Sequence, residues 1–162
     1  MKSVLIFLLA LFTTCKETPS QAISQIELNV GVTPKLASPA NPAIITAAIP
    51  NYGTTTSYRN EGCSYWGPGL FLAMLDPDSN ILFLSNPQLR LMCLYNTVPF
   101  LPGEKFSVTS QFNGTLFNSS GKQFPAQNGT YTAVVSFWVS QDKNFGGGRL
   151  IEQRVSFQWV SE

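Results

Sequence analysis

The stretch that decides the fold is FPAQNGTYTAVVSFWV, residues 124–139. Asn128 and Gly129 form a turn signal, because glycine adopts positive φ angles without steric cost. After this turn, large apolar residues stand at every second position, which is the period of a strand with one buried face. Trp138 falls on the opposite face, so we expect that face to be covered too at this end. The stretch predicts a central strand of a β-sandwich.

Further runs with strand periodicity are separated by turns rich in Pro, Gly and Asn. They cover residues 26–32, 43–49, 70–75, 81–84, 89–95, 106–112 and 150–160. Together they predict an all-β, immunoglobulin-like antiparallel β-sandwich of about eight to nine strands with Greek-key connections. Residues 113–122 are expected to form a polar loop. The position of Tyr131 after its turn predicts a tyrosine corner, in which the hydroxyl bonds back to the preceding loop.

The composition excludes several classes of function. Of the 162 residues 44% are hydrophobic and only 12% are charged, with a net charge of +1 and no basic cluster, so we expect no nucleic-acid partner. The chain has no histidine, which excludes Ser-His-Asp and Cys-His catalysis. Asp76, Asp78 and Asn80 alternate as in a calcium loop, but the Asp-Pro-Asp-Ser-Asn sequence favours a turn. We predict a non-enzymatic protein with no metal and no cofactor.

The N-terminal residues resemble an export signal. Residues 1–14 combine Lys2 with a short apolar run, which is too short for a stable membrane span. Cys15 follows this run, as in the lipobox of bacterial lipoproteins, and lipidation there would make it the mature N-terminus. Residues 15–25 would then form a tether and residues 26–162 one domain, anchored by lipid to the membrane in a bacterial cell envelope. The alternatives are a secreted protein, cleaved after Ala22, and an uncleaved anchor.

The other two cysteines form an even pair. With Cys15 lipidated or removed, Cys63 and Cys93 remain in an oxidising compartment, and we predict a disulfide between them. Such a bridge closes a loop of about 30 residues, which the chain-entropy model values at roughly 3–4 kcal/mol. The alternative is two unpaired cysteines, one of them in the core.

Two segments have the character of binding loops. Residues 51–68 show no strand periodicity, and residues 144–149 form the glycine-rich tip of a hairpin. Their candidate contact residues are the aromatic and arginine side chains Tyr52, Tyr58, Arg59, Tyr65, Trp66, Phe145 and Arg149. The alternative is that Tyr65 and Trp66 cap the core while Tyr58 and Arg59 are merely solvated.

Four segments carry a family resemblance. They are NYGTTT (51–56), FLAMLDPDSNILFL (71–84), LPGEKFSV (101–108) and FPAQNGTYTAVV (124–135). Their order is similar to that in the BsuPI-type intracellular proteinase inhibitors. The resemblance implies a single immunoglobulin-like sandwich and inhibition of a proteinase. The chain departs from the family in its longer, cysteine-containing loop and in its export signal.

These observations predict an exported, monomeric binding protein. Its partner would be a protein, with a protease as the most specific case, and contact would be made by the surface loops. One alternative is a structural or assembly module of the cell envelope, with an exposed edge strand at residues 26–32 available for strand addition. Another is a domain that binds carbohydrate or a small ligand, which would require solvent-exposed rings among Trp66, Trp138 and Trp159.

Overall fold

The computed structural model describes residues 25–60, 69–89, 96–144 and 146–161. In these residues the chain forms twelve strands and a short 3-10 helix, Pro87–Leu89. The strands are β1 Asn29–Thr33, β2 Leu36–Ala37, β3 Ala43–Pro50, β4 Ser57–Asn60, β5 Leu70–Leu75, β6 Ile81–Leu82, β7 Thr97–Phe100, β8 Lys105–Phe112, β9 Thr115–Phe117, β10 Gln123–Pro125, β11 Gly129–Ser140 and β12 Arg149–Trp159. No helix in these residues is long and apolar enough to cross a membrane.

Strand β11 is the centre of the larger sheet, as the sequence predicts. On one side it pairs with β12 along almost its whole length, and β12 in turn pairs with β2. On the other side residues 132–137 pair with β5, and residues 139–140 pair with β4. The β2–β12 pair is parallel, whereas the other strand pairs in the described part of the chain are antiparallel.

Strands β4 and β5 lie end to end beside β11 and form one row, which we call the split row. Between them the Trp138 N–H donates a hydrogen bond of 3.2 Å to the carbonyl of Gly69. The next row is also divided, because β7 pairs with β4 and β6 pairs with β5. Residues 61–68 therefore join two pieces of a single row of the sheet.

The smaller sheet has the order β1-β3-β8. The chain leaves this sheet after β3, builds β4 to β7, and returns at β8, which pairs with β3. Strands that are neighbours in space are thus separated in sequence by a whole excursion, which is a Greek-key connection. The two sheets form an immunoglobulin-like β-sandwich, and the fold class predicted from the sequence is confirmed.

The core lies between the sheets and contains two aromatic clusters. At one end Phe112 contacts Tyr131, Phe157 and Trp159, with ring centroids 4.8 to 5.3 Å apart. At the other end the rings of Phe100, Phe106 and Phe137 contact one another in edge-to-face geometry, with centroids 5.6 to 6.2 Å apart. Edge-to-face pairs add about 0.5–1.5 kcal/mol each beyond the area they bury.

The predicted tyrosine corner is confirmed. The Tyr131 hydroxyl accepts a hydrogen bond from the Gln127 N–H and donates one to the Gln127 carbonyl, both at 3.1 Å. Burial raises the pKa of this hydroxyl above its ordinary value of 10.0, the hydrogen bond to the Gln127 backbone partly offsets that rise, and the Asp76 charge adds to it. The hydroxyl therefore fixes the turn before β11 in its protonated form.

Several segments differ from the sequence-based expectation. The predicted polar loop at residues 113–122 contains β9, which pairs with β10 in a small hairpin. Residues 57–60, predicted to be irregular, form β4, and residues 97–100 form β7. The strand count exceeds the prediction because these segments are too short to show strand periodicity and acquire strand geometry from the strands with which they pair. Most of the strand predicted at residues 89–95 lies outside the described residues.

Candidate functional site

The two predicted binding loops meet at one end of the sandwich, which we call the hairpin end. Gln141 begins the β11–β12 connection, and its Nε2 donates a 2.6 Å hydrogen bond to the buried Ser57 hydroxyl. Its Oε1 accepts a 3.3 Å hydrogen bond from the Thr55 hydroxyl. One side chain thus joins residues 51–57 to the start of the β11–β12 connection and holds the two segments side by side at this end.

The hairpin connection is fixed by its own hydrogen bonds. The buried Ser140 hydroxyl donates to the Gly146 carbonyl at 3.1 Å and accepts from the Asp142 N–H at 3.0 Å. The Asp142 carboxylate accepts from the Asn144 N–H at 2.9 Å. Arg149 is exposed at the start of β12, opposite Val139. These bonds order the connection, and an ordered loop loses less conformational entropy when it binds a partner.

Beside the hairpin end, the larger sheet carries an apolar patch on its outer face. Trp138 and Leu150 lie directly opposite each other on β11 and β12 and are 37% and 46% exposed. The pairing of Ser140 with Tyr58 and of Ser136 with Phe71 puts these two half-buried rings on the same face. We call these four residues the outer aromatic patch. The expectation that this face is covered at Trp138 is wrong.

Gly148 defines the position of the Trp138 indole. A Cβ atom on Gly148 would overlap the indole Nε1 and would lie 2.9 Å from its Cε2. The indole therefore lies close to the backbone at the residue before β12. The glycine run that the sequence marks as a flexible hairpin tip in fact supplies the surface on which the ring rests.

The remaining predicted contact residues have different surroundings. Tyr52 is 65% exposed beside the turn at residues 101–104, where the Gly103 N–H donates to the Asn51 carbonyl. Arg59 instead faces the core side, with its guanidinium carbon 4.6 Å from the centroid of the Phe106 ring and 5.9 Å from that of Phe100. At these distances the interaction is a cation–π contact, so Arg59 is neither merely solvated nor a fully exposed contact residue.

Several predicted residues lie outside the described residues: Cys15, Cys63, Tyr65, Trp66, Cys93 and Phe145. The described flanks place two of their segments in relation to each other, because Asn60 and Thr97 are register partners on β4 and β7. The predicted Cys63–Cys93 bridge stays a prediction.

The predicted turn at residues 76–80 is confirmed. The Asp76 carboxylate accepts hydrogen bonds from the Asp78 and Asn80 N–H groups and from the Asn80 side-chain amide, at 2.8 to 3.0 Å. These bonds close the turn on itself. Among the described residues no group of three His, Cys, Asp or Glu side chains is arranged to hold a metal ion. The acidic residues here act as turn formers.

Comparisons with known proteins give structural likeness alone. No protein-family model and no curated protein matches the chain. The ASH/PapD-like domain 7 of human CEP192 is 12% identical, with a TM-score of 0.45 over 98% of this chain and 99% of that domain. The putative ApaA protein of Bordetella pertussis is 12% identical, with a TM-score of 0.40 over 84% of this chain and 91% of that protein.

Larger proteins contain similar regions. A β-glucosidase from Listeria innocua, in complex with isofagomine, is 11% identical, with a TM-score of 0.42 over 85% of this chain. This chain spans only 16% of that enzyme's length. The class that the fold and the hairpin end define is that of a single immunoglobulin-like β-sandwich with an ordered loop surface beside an exposed aromatic patch.

Proposed function

We propose that this chain is an exported, lipid-anchored and non-enzymatic binding protein that contacts a protein partner through the hairpin end. Proteinase inhibition is the most specific form of this function. The observation that supports it is the joining of two loops by Gln141 next to the outer aromatic patch. Exposed tryptophan and tyrosine beside ordered polar loops are typical of protein-binding surfaces.

The anchoring part of the proposal rests on the N-terminal sequence. Lipidation of Cys15 would hold the domain at the membrane of the cell envelope, and residues 16–25 would give it reach. A secreted domain, with residues 1–22 removed, is the alternative. The ligand-binding alternative has lost one of its three candidate rings, because Trp159 is buried in the core.

The test compares side chains at opposite ends of the sandwich. The full chain, purified from membranes in detergent, would be assayed as an inhibitor of subtilisin, papain and thermolysin. Trp138→Ala and Leu150→Ala are expected to weaken inhibition of at least one of these enzymes about tenfold or more, as truncation of a central contact does. Ile81→Ala is the matched control, since Ile81 is 62% exposed next to the turn at the opposite end.

A second measurement separates inhibition from binding in general. A photo-crosslinking amino acid at position 138 should form an adduct with a protein on native cells, and the same group at position 81 should not. If none of the three proteases is inhibited, inhibition of these protease classes is rejected, while binding to another protein is still tested by the crosslinking. Equal adduct formation at both positions, or none at either, would reject the hairpin end as the contact surface.

A structural or assembly module of the envelope is the second candidate function. One observation favours it: within the described residues, β8 pairs with a neighbour on one side only. The edge that the sequence favours for strand addition, residues 26–32, is less open. The Val30 N–H at its outer side donates to the Gln153 side chain at 2.6 Å.

A further inference from the structure

The edges of the two sheets are unequally protected. Edge strands expose unpaired N–H and C=O groups, and proteins block them with short strands, prolines or side-chain bonds. In the larger sheet β2 and β6 have two residues each, and β7 carries Pro99, which has no N–H to offer. In the smaller sheet Gln153 closes β1 at Val30. Two long edges remain in the described residues: β8, and the part of β12 before Gln158, which β2 does not cover. On β12 the Lys35 ammonium donates a 3.2 Å hydrogen bond to the Ser156 carbonyl, whereas the described residues place no such side-chain bond on β8.

The outward groups of β8 follow from its register with β3. The Asn51 N–H donates to the Glu104 carbonyl at 2.9 Å, so this pair is hydrogen-bonded, and alternate pairs along the ladder are bonded likewise. The residues that bond to β3 are therefore Phe106, Val108, Ser110 and Phe112. Those that turn their N–H and C=O groups away from β3 are Lys105, Ser107, Thr109 and Gln111, whose side chains are all exposed. Lys105, at the start of the strand, is the only charged residue in β8.

Apolar surface lies next to this edge. Phe106 and Val108 face the core but are only half-buried, whereas their register partners on β3, Ile49 and Ala47, are fully buried. Val98 on β7 pairs with the core-facing Arg59 and is also half-buried. In the described part of the chain no strand covers this side of the core. An additional strand on β8 would cover these side chains.

The relative width of the sheets limits what can occupy the edge. At this end the larger sheet has the order β2-β12-β11-β4-β7, and the smaller has only β1-β3-β8, with β1 packed near β12. Row β7 therefore projects beyond β8. If a second folded copy paired its β8 with this β8 about a two-fold axis, its own β4 and β7 would occupy the same positions as β7 and β4 of this chain, and the two copies would clash. A single extended segment carries no second sheet that could clash with β4 and β7, so it can pair with β8.

We propose that the free edge of β8 receives an extended segment of a partner protein as an added antiparallel strand. Its backbone would bond to Lys105, Ser107, Thr109 and Gln111. Apolar residues at alternate positions would pack toward Val98, Phe106 and Val108, and an acidic residue would lie near Lys105. This surface is separate from the hairpin end, so its test is independent of the proposed loop contact.

The test uses a defined peptide and the full chain in detergent. The probe is a capped octapeptide, Glu-Val-Thr-Val-Ser-Val-Thr-Glu, and its control is a peptide of the same composition with the three valines adjacent. In the free chain, NMR-detected exchange should be fast for the amides of Ser107, Thr109 and Gln111 and slow for those of Val108 and Ser110. The alternating peptide should slow exchange at the three fast amides, and the control peptide should not.

A proline at the edge supplies the decisive variant. Thr109→Pro removes one outward N–H without breaking a bond to β3, and it should weaken peptide binding about tenfold or more, the change that corresponds to 1.4 kcal/mol. Thr109→Val keeps that N–H and should bind as the parent chain does. An unchanged melting temperature and unchanged crosslinking through position 138 in Thr109→Pro would show that the fold and the loop surface are intact.

Three results would overturn the proposal. Slow exchange at Ser107, Thr109 and Gln111 in the free chain would mean that the edge is already occupied. Equal binding of the alternating peptide to Thr109→Pro would place the peptide elsewhere. Protection that appears with protein concentration alone, without peptide, would identify a second copy of the chain as the occupant.

Discussion

Gly114 lies against the buried Trp159 indole, where a Cβ atom would overlap Cζ2 and lie 3.0 Å from Cη2. Gly114 also has a φ of +84°, a conformation that residues with a Cβ adopt at a cost. Two separate requirements, close approach and backbone conformation, thus meet in the turn between β8 and β9. From the sequence alone, this position is predicted only to lie in the polar loop at residues 113–122.

We predict that Gly114→Ala lowers the free energy of unfolding by about 2–4 kcal/mol, the sum of the left-handed backbone cost and overpacking against Trp159. Urea denaturation measures it. Gly31→Ala is the control, because a Cβ there meets no atom within 4 Å, and its effect should stay within about 0.5 kcal/mol. Equal effects of the two substitutions would contradict the role of Trp159.

Tyr131→Phe tests the tyrosine corner. The substitution removes both hydrogen bonds to Gln127 and should lower the free energy of unfolding by about 1–2 kcal/mol near neutral pH. Chemical denaturation of the two chains measures the difference. A cost near zero would mean that the hydroxyl bonds contribute nothing net to the turn before β11.

The pH dependence of stability gives a second test of the same residue. Because the folded-state pKa of Tyr131 is raised, the unfolded chain loses this proton at lower pH than the folded chain. The stability from this group is complete below pH 10.0 and is lost as the pH rises through the folded-state pKa. Stability of the parent chain should therefore fall above pH 10.0 more steeply than that of Tyr131→Phe. Parallel profiles would contradict this expectation.

Gln141→Ala tests the joining of the two loops. The substitution leaves the buried Ser57 hydroxyl without its 2.6 Å partner, so the free energy of unfolding should fall by about 1–3 kcal/mol. Hydrogen exchange at residues 51–57 should become faster. Ser57→Ala combined with Gln141→Ala should cost less than the two single changes added together, because neither group is then left unpaired. Additive effects would show that these side chains do not act as a pair.

The cysteines can be tested by intact mass and stability together. Protein from the native membrane fraction should carry a diacylglyceryl or triacyl increment on a chain that starts at Cys15. Reduction should add the mass of two hydrogen atoms and lower the free energy of unfolding by roughly 3–4 kcal/mol, if Cys63 and Cys93 are bridged. An unlipidated chain starting near Ile23 would favour secretion, and an unchanged mass on reduction would reject the bridge.

The sequence predicts the elements whose patterns are local. Large apolar residues stand at every second position of strand β11, which follows an Asn-Gly turn, so both its position and its buried face can be predicted from the sequence. The Asp76 turn and the tyrosine corner are likewise set within five residues. In each case the side chain that fixes the structure lies next to the backbone that it bonds, and the residue types alone indicate the geometry.

Features that depend on partners distant in sequence cannot be predicted in this way. Strand β4 is polar and becomes a strand because it pairs with β11 and β7. Gln141 and Ser57 are 84 residues apart, and Gln153 protects Val30 across 123 residues. Which sheet edge is open, and which loops form one surface, therefore depends on the register of the whole sandwich. The predicted edge at residues 26–32 was plausible on alternation alone but lacked this information.

The split row leaves a connection between β4 and β5 whose two ends are both held in the sheet. Arg59 pairs with Val139 and Leu70 pairs with Phe137, so the chain leaves and re-enters the sheet on either side of a single β11 residue. When the ends of a loop are already held together, each doubling of its length costs only about 0.6 kcal/mol in closure entropy. We therefore expect the sandwich to tolerate residues added between Asn60 and Gly69 at a small cost in closure entropy.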